Sequence, residues 1–221
     1  MKFRGSILTH NIDRILQRLM ETYPDTDPDP STDNPFKTLI SCILSQRTLD
    51  SNSERAADNL FNIASTPEEV LSLSRNDLEG LIRPSGFYKQ KARYIVEICR
   101  CLLEIHDGCV PADRESLLML PGVGPKTADI VLSHSFNYRT VPVDVHVWRV
   151  TRRLGLVPGD ANHVKTKEAL ERMLPDEYKL LYDRTILRIG KEYCRKTDPR
   201  CSQCPLGQYC SYKTSTELFA P

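Results

Sequence analysis

The chain has 221 residues and no run of about 18 uncharged apolar residues, which excludes a membrane-crossing helix. It has no excess of either charge: 30 Lys and Arg stand against 29 Asp and Glu. A global cationic tail is thereby excluded, and affinity for nucleic acid has to come from a local patch. There is no internal repeat and no low-complexity segment. The opening residues, Met1-Lys2-Phe3-Arg4-Gly5-Ser6, lack the long apolar core of a secretory signal, so a cytoplasmic protein is expected. Hydrophobic residues at 40% and charged residues at 27% are close to globular averages and exclude the disordered class. The length suits one domain or two small ones and a core that needs no disulfide.

Cysteine is present, and unevenly. Cys42, Cys99, Cys101 and Cys109 are scattered, whereas Cys194, Cys201, Cys204 and Cys210 crowd near the C-terminus with the spacing C-x6-C-x2-C-x5-C. In a reducing compartment clustered thiols point to metal rather than to disulfides. Zinc knuckles come as paired C-x2-C units, and only Cys201 and Cys204 form one. One short bite with two longer arms suits an iron–sulfide cube, whose corners are spread apart. A [4Fe–4S] cluster, a zinc ion and no metal stay open on spacing alone, in that order. Cys42 and Cys99 sit in apolar helical patterns and read as small core residues.

The chain reads as helical. Ile12, Ile15, Leu16 and Leu19 form one apolar stripe at helical spacing, and Phe36, Leu39, Ile40, Ile43 and Leu44 form another, opened by Asn34 as N-cap and Pro35 at the first helical position. Asp50, Ser74, Asp113 and Asn162 are placed to cap further helices, and Thr66-Pro67-Glu68-Glu69 is a capping box. The Ala92–Leu103 segment has the cleanest stripe, and a last long helix is expected from about Asp176 to Tyr193. Asp25 to Asn34 reads as a polar linker. Val141, Val143, Val145 and Val147 alternate as in a strand, but Pro142 weakens that pattern, and Asp144 could instead cap a helix through Val147, Trp148 and Leu154.

Leu120-Pro121-Gly122-Val123-Gly124-Pro125-Lys126-Thr127-Ala128 lies between two helical patterns. Glycines two apart allow positive φ and close approach, and Pro125 starts a helix whose first N–H groups form an anion site. A duplex offers such an anion as backbone phosphate, a contact that positions DNA without reading it. The plain alternative is a helix–helix turn; a Walker A loop is excluded because its pattern is absent. Lys126 falls in the first helical turn, where the positive end of the dipole works against an ammonium and partial burial would act the same way. A neutral amine is the form that attacks electrophilic carbon, while a charged one would simply contact phosphate.

The hairpin, then Val143-Asp144-Val145-His146, then the four clustered cysteines resemble the endonuclease III family, the helix-hairpin-helix DNA glycosylases with an iron–sulfur cluster. The order, the 18-residue step from Lys126 to Asp144 and the cysteine spacing agree over roughly residues 10 to 213. Gly86-Phe87-Tyr88 with Lys91-Ala92 is similar to the family's Gly-aromatic/aliphatic-Tyr segment. The resemblance implies an all-α, two-lobed fold, with a six-helix domain over residues 28–138 containing the hairpin and a cluster domain from residues 1–27 plus 139–221. It also implies a helix beginning at Asp144 and DNA in the cleft between lobes.

By the same resemblance, Lys126 is the nucleophile and Asp144 the carboxylate near the sugar, and Cys194, Cys201, Cys204 and Cys210 ligate a [4Fe–4S] cluster. The backbone of Gly122, Val123 and Gly124 grips phosphate. Lys196 and Arg200, with Arg195 in the same loop, supply the local cationic patch. A glutamine two residues after the serine of Ser45-Gln46-Arg47 usually fills the gap left by the flipped base. Here Arg47 holds that place and Gln46 precedes it, so either could enter the duplex. The activity implied is a bifunctional glycosylase and AP lyase for oxidised or saturated pyrimidines, acting as a monomer on double-stranded DNA with a damaged base or abasic site. A mismatch glycosylase for uracil or thymine opposite guanine, a non-catalytic hairpin module and a zinc-stapled structural protein are the competing readings.

Overall fold

The computed structural model describes residues 4–26 and 34–218; residues 27–33, most of the expected linker and the expected domain boundary, lie outside the described residues. All regular structure among the described residues is helical, with twelve α-helices and three short 3-10 turns and no strand. The chain splits into two compact units, Ser31–Tyr138 and the pair of segments Met1–Pro30 with Arg139–Pro221.

The first, the hairpin unit, holds α2 (Pro35–Ser45), α3 (Asp50–Phe61), α4 (Pro67–Ser72), α5 (Arg75–Leu81), α6 (Tyr88–Ile105), α7 (Arg114–Met119) and α8 (Pro125–Ser135). That is seven helices where six were expected, two of them, α4 and α7, only six residues long. Capping residues set most boundaries. Asn34 accepts from the N–H groups of Phe36 and Lys37, Thr66 and Glu69 form the reciprocal box, and Ser74 and Asp113 each accept from a first-turn N–H. Asp50 departs from expectation. Leu49, in extended geometry, holds the cap position and Asp50 is the first helical residue, where its carboxylate favours the positive dipole end instead. Leu39, Ile40, Ile43, Leu60, Ile95, Ile98, Cys99, Leu102, Leu117 and Val131 fill one core. α2 lies at its centre, packed on α3, α6 and α8.

The second, the split unit, holds α1 (Arg4–Thr22), α9 (Val145–Leu154), α10 (His163–Met173), α11 (Lys179–Glu192) and α12 (Ser211–Leu218). The expected long last helix is broken at its start: Asp176–Tyr178 is a 3-10 turn, and the α-helix begins at Lys179. Residues 139–144 are irregular, and α9 starts directly after Asp144, so the helical alternative for the valine segment holds and the strand does not. Val141 and Val143 are buried without a strand partner, in a core with Ile15, Leu19, Val147, Val150, Tyr182, Ile186 and Ile189. Alternation there reflects an irregular segment pressed onto a core.

Candidate active site

The hairpin joins α7 to α8. Gly122 has φ +74, in the left-handed region, and a Cβ on it would lie 2.7 Å from Cδ2 of Tyr94, so both conformation and space demand glycine. Val123 is buried, so it can offer a ligand only its main chain. Gly124 is the N-cap of α8 and has no neighbour within 4 Å of a would-be Cβ, which leaves its backbone approachable. Pro125 and Lys126 are the first two residues of α8. The N–H groups of this first turn lie at the positive end of the helix dipole, where an anion is favoured.

The Lys126 side chain is exposed. The partial burial anticipated from sequence is therefore not supplied within the hairpin unit. Burial pushes the half-buried Cys42 thiol up to about 11, opposed by the Lys126 charge. Cys99 is fully buried, as expected, whereas Cys42, expected to be a core residue, is only partly buried.

The turn after α2 comes to the same hairpin. Gln46 is the C-cap of α2, and its Nε2 donates to the carbonyl of Gly122 at 2.9 Å. Arg47 has φ +51 and is exposed, its guanidinium 5.9 Å from the centre of the Phe87 ring. Phe87 also has positive φ, caps α6, and leaves 60% of its surface exposed. Gln46 is thus engaged on its own protein while Arg47 projects outward. The sequence marks Phe87 and Lys91 only as part of the segment similar to the family's, with no role assigned to Phe87 and no burial expected of Lys91. An exposed aromatic beside a glycine was legible there, but a lysine within an amphipathic stripe carries no sign that it is buried.

In the split unit Asp144 is the N-cap of α9. Its Oδ1 accepts from the N–H groups of His146 and Val147, both at 2.8 Å, which fixes the carboxylate rigidly. His146 is half-buried and its Nδ1 meets an Nη of Arg149 at 3.0 Å.

Cys194, Cys201, Cys204 and Cys210 all line one pocket, together with Tyr193, Arg153 and Tyr212. Among the described residues no group of three or more His, Cys, Asp or Glu side chains is placed to hold a single metal ion. Four thiols surrounding a pocket rather than converging on a point form a donor set that fits a cube of iron and sulfide. Burial pushes the Cys204 thiol up to about 11 and raises Cys210 as well. Arginines of α9 surround the first cysteine. Arg149 Nε donates to the Cys194 carbonyl at 2.8 Å, and Arg153 Nη1 approaches Cys194 Sγ at 3.4 Å. The same Arg153 fork donates to the carbonyls of Arg195 and Lys196, at 2.7 and 3.3 Å. Arg195, Lys196 and Arg200 are all exposed on the loop so held.

Residues 40–176 match the family described as HhH-GPD superfamily base excision DNA repair protein. The chain is 40% identical over 198 residues to endonuclease III of Thermotoga maritima, covering 90% of this chain and 89% of that one. It is 36% identical over 204 residues to endonuclease III of Escherichia coli K12, covering 92% and 96%. Among solved structures, a trapped endonuclease III–DNA covalent intermediate, an estranged-adenine complex, superposes with TM-score 0.84 at 32% identity, over 95% of this chain and 98% of that one. A non-covalent endonuclease III–DNA complex superposes with TM-score 0.85 at 31% identity, over the same shares.

Proposed function

The chain belongs to the HhH-GPD superfamily of base excision DNA repair proteins and, within it, to the endonuclease III family, and from that membership we infer that it is a bifunctional DNA glycosylase and AP lyase that removes oxidised or saturated pyrimidines. The observation that carries this reading is an exposed primary amine, Lys126, in the first turn of a helix entered through a glycine hairpin. A purely phosphate-binding hairpin needs no amine there. Relatives of this chain were captured on DNA, one of them covalently.

The damaged nucleotide has to leave the stack before any side chain reaches its sugar. The hairpin N–H groups hold backbone phosphate and so set the register. The lone pair of Lys126 Nζ forms a bond to C1′, and the glycosidic bond breaks with its electrons passing to the base, which takes up a proton. The sugar ring opens to a Schiff base. Loss of a C2′ proton then expels the 3′ phosphate and nicks the strand. One hard step is split into easier ones. Asp144, held by two N–H groups, faces the sugar with a fixed negative charge that stabilises oxocarbenium character and receives or returns protons. Capping and catalysis are compatible uses of one carboxylate. Arg47, rather than Gln46, fills the space vacated by the base, because the Gln46 amide is engaged on Gly122.

Cys194, Cys201, Cys204 and Cys210 would hold a [4Fe–4S] cluster. When bound, it supplies a covalent cross-link that closes the loop from 194 to 210 and fixes Arg195, Lys196 and Arg200 as a phosphate-facing patch. Among the described residues no helix is long and apolar enough to cross a membrane. The protein acts on double-stranded DNA, as a monomer, in the cytoplasm.

The test is a panel of duplexes carrying thymine glycol, dihydrouracil, uracil opposite guanine, or 8-oxoguanine. Base release coupled to strand nicking on the first two is expected. Release confined to uracil opposite guanine, without nicking, would replace this reading with that of a mismatch glycosylase.

A further inference from the structure

Lys91, on α6, is only 3% exposed. Its Nζ lies 2.7 and 2.6 Å from the carbonyl oxygens of Leu44 and Gln46 and 2.8 Å from each of the hydroxyls of Thr48 and Ser85, so that four acceptors share its three N–H donors. None of the four is a carboxylate. Ser85 Oγ donates onward to the Leu44 carbonyl and Thr48 Oγ1 to the Gln46 carbonyl, so both hydroxyls face the amine as acceptors. The arrangement therefore calls for an ammonium. Burial pushes Lys91 down to about 8, which still leaves the charged form dominant at neutral pH. A buried cation without a counter-charge is a poor way to gain stability: an apolar side chain of similar volume does as well or better. What this cation does is join segments. It binds the last turn of α2 and the turn that follows to Ser85, whose neighbour Gly86 donates its N–H to Thr48 Oγ1 at 3.0 Å. A Cβ on Gly86 would sit 3.1 Å from the Arg47 carbonyl, so the two segments touch at the backbone. Arg47 and Phe87 stand on these two segments, and Gln46 carries the connection to the hairpin.

We infer that Lys91 is a positioning residue for recognition of the strand opposite the lesion: its sealed ammonium locks the Gln46–Thr48 turn to Ser85–Gly86, so that Arg47 enters the duplex in one orientation fixed relative to the phosphate-gripping hairpin. This rests on the assignment of Arg47 as the gap-filling residue. Removing the cation takes away the donors that tie these four acceptors together, two of them at buried contacts, and the turn relaxes to meet water.

The experiment uses a duplex with 2-aminopurine opposite a tetrahydrofuran abasic analogue, read by emission at saturating protein, so that affinity does not enter. Wild type is expected to change the emission and Arg47→Ala to remove the change. Lys91→Met is expected to reduce it roughly three- to tenfold, the scale of a lost buried hydrogen-bond donor, with far-ultraviolet circular dichroism unchanged. Should Lys91→Met not fold, Thr48→Val and Ser85→Ala each remove one acceptor and are expected to reduce the change in the same direction by less. A full wild-type emission change in Lys91→Met, or in both single-acceptor variants if it does not fold, overturns the inference while leaving the Arg47 assignment intact. A full change in Arg47→Ala, or none in wild type, overturns the assignment and the inference with it.

Discussion

The side-chain amide of Gln46 donates to the carbonyl of Gly122 at 2.9 Å, across 76 residues of sequence. One hydrogen bond thus ties the turn after α2 to the hairpin that enters α8, two segments that no local pattern connects. Gln46→Ala removes the donor and leaves the hairpin less constrained. A net hydrogen bond of about 0.5–1.5 kcal/mol predicts a roughly two- to tenfold loss of affinity for duplex containing an abasic analogue. Fluorescence anisotropy at fixed ionic strength measures it. Unchanged affinity would mean that the hairpin holds its shape without this contact.

Asp144 combines two roles that substitution can separate. Asparagine caps a helix about as well as aspartate, so Asp144→Asn should alter stability by less than about 0.5 kcal/mol. Its base-release rate should nevertheless fall by roughly 100-fold or more, because the charge facing the sugar is gone. Asp144→Ala should lose the same activity and, in addition, about 1 kcal/mol of stability. Single-turnover release assays beside urea unfolding distinguish the two effects. Near-normal turnover in Asp144→Asn would leave this residue as a cap alone.

Lys91 makes stability depend on pH in an unusual direction. Burial lowers it from an ordinary 10.5 to about 8. Between these values the unfolded chain binds the proton and the folded one does not, so stability rises with pH through that window. The full handicap of the buried charge is present below pH 8 and disappears as the pH approaches 10.5, a gain of about 3 kcal/mol at 1.36 kcal/mol per unit. Lys91→Met lacks this dependence. The difference in unfolding free energy between wild type and Lys91→Met should therefore move in favour of wild type from pH 7 to 10. A flat difference would show that Lys91 is no harder to charge inside than outside.

Much of this was legible in the chain itself because it is written locally. Caps at Asn34, Thr66, Ser74, Asp113 and Asn162 are short-range hydrogen bonds, and sequence carries them. The hairpin, the carboxylate at Asp144 and the four thiols at one pocket are likewise contiguous or closely spaced. Asp50 was misplaced by one residue because an acidic side chain is favourable both at a cap and in the first turn, and the two positions look alike in sequence. The valine alternation of 141–147 misleads because period-2 burial arises wherever extended chain crosses a core, with or without a partner strand. Lys91 was legible as part of a family-like segment, but its burial was not, for the opposite reason. Its meaning comes from Leu44, Gln46, Thr48 and Ser85, which lie 6 to 47 residues away and carry no pattern in common.

The central claim is that the amine of Lys126 becomes bonded to the sugar. Incubating the protein with a duplex containing thymine glycol in the presence of sodium borohydride, then digesting the product and sequencing the DNA-bearing peptide by mass spectrometry, tests it directly. The account predicts one covalent adduct, on Lys126, and none with Lys126→Gln although that variant still binds the duplex. An adduct on any other residue, or trapping that survives the substitution, would contradict it.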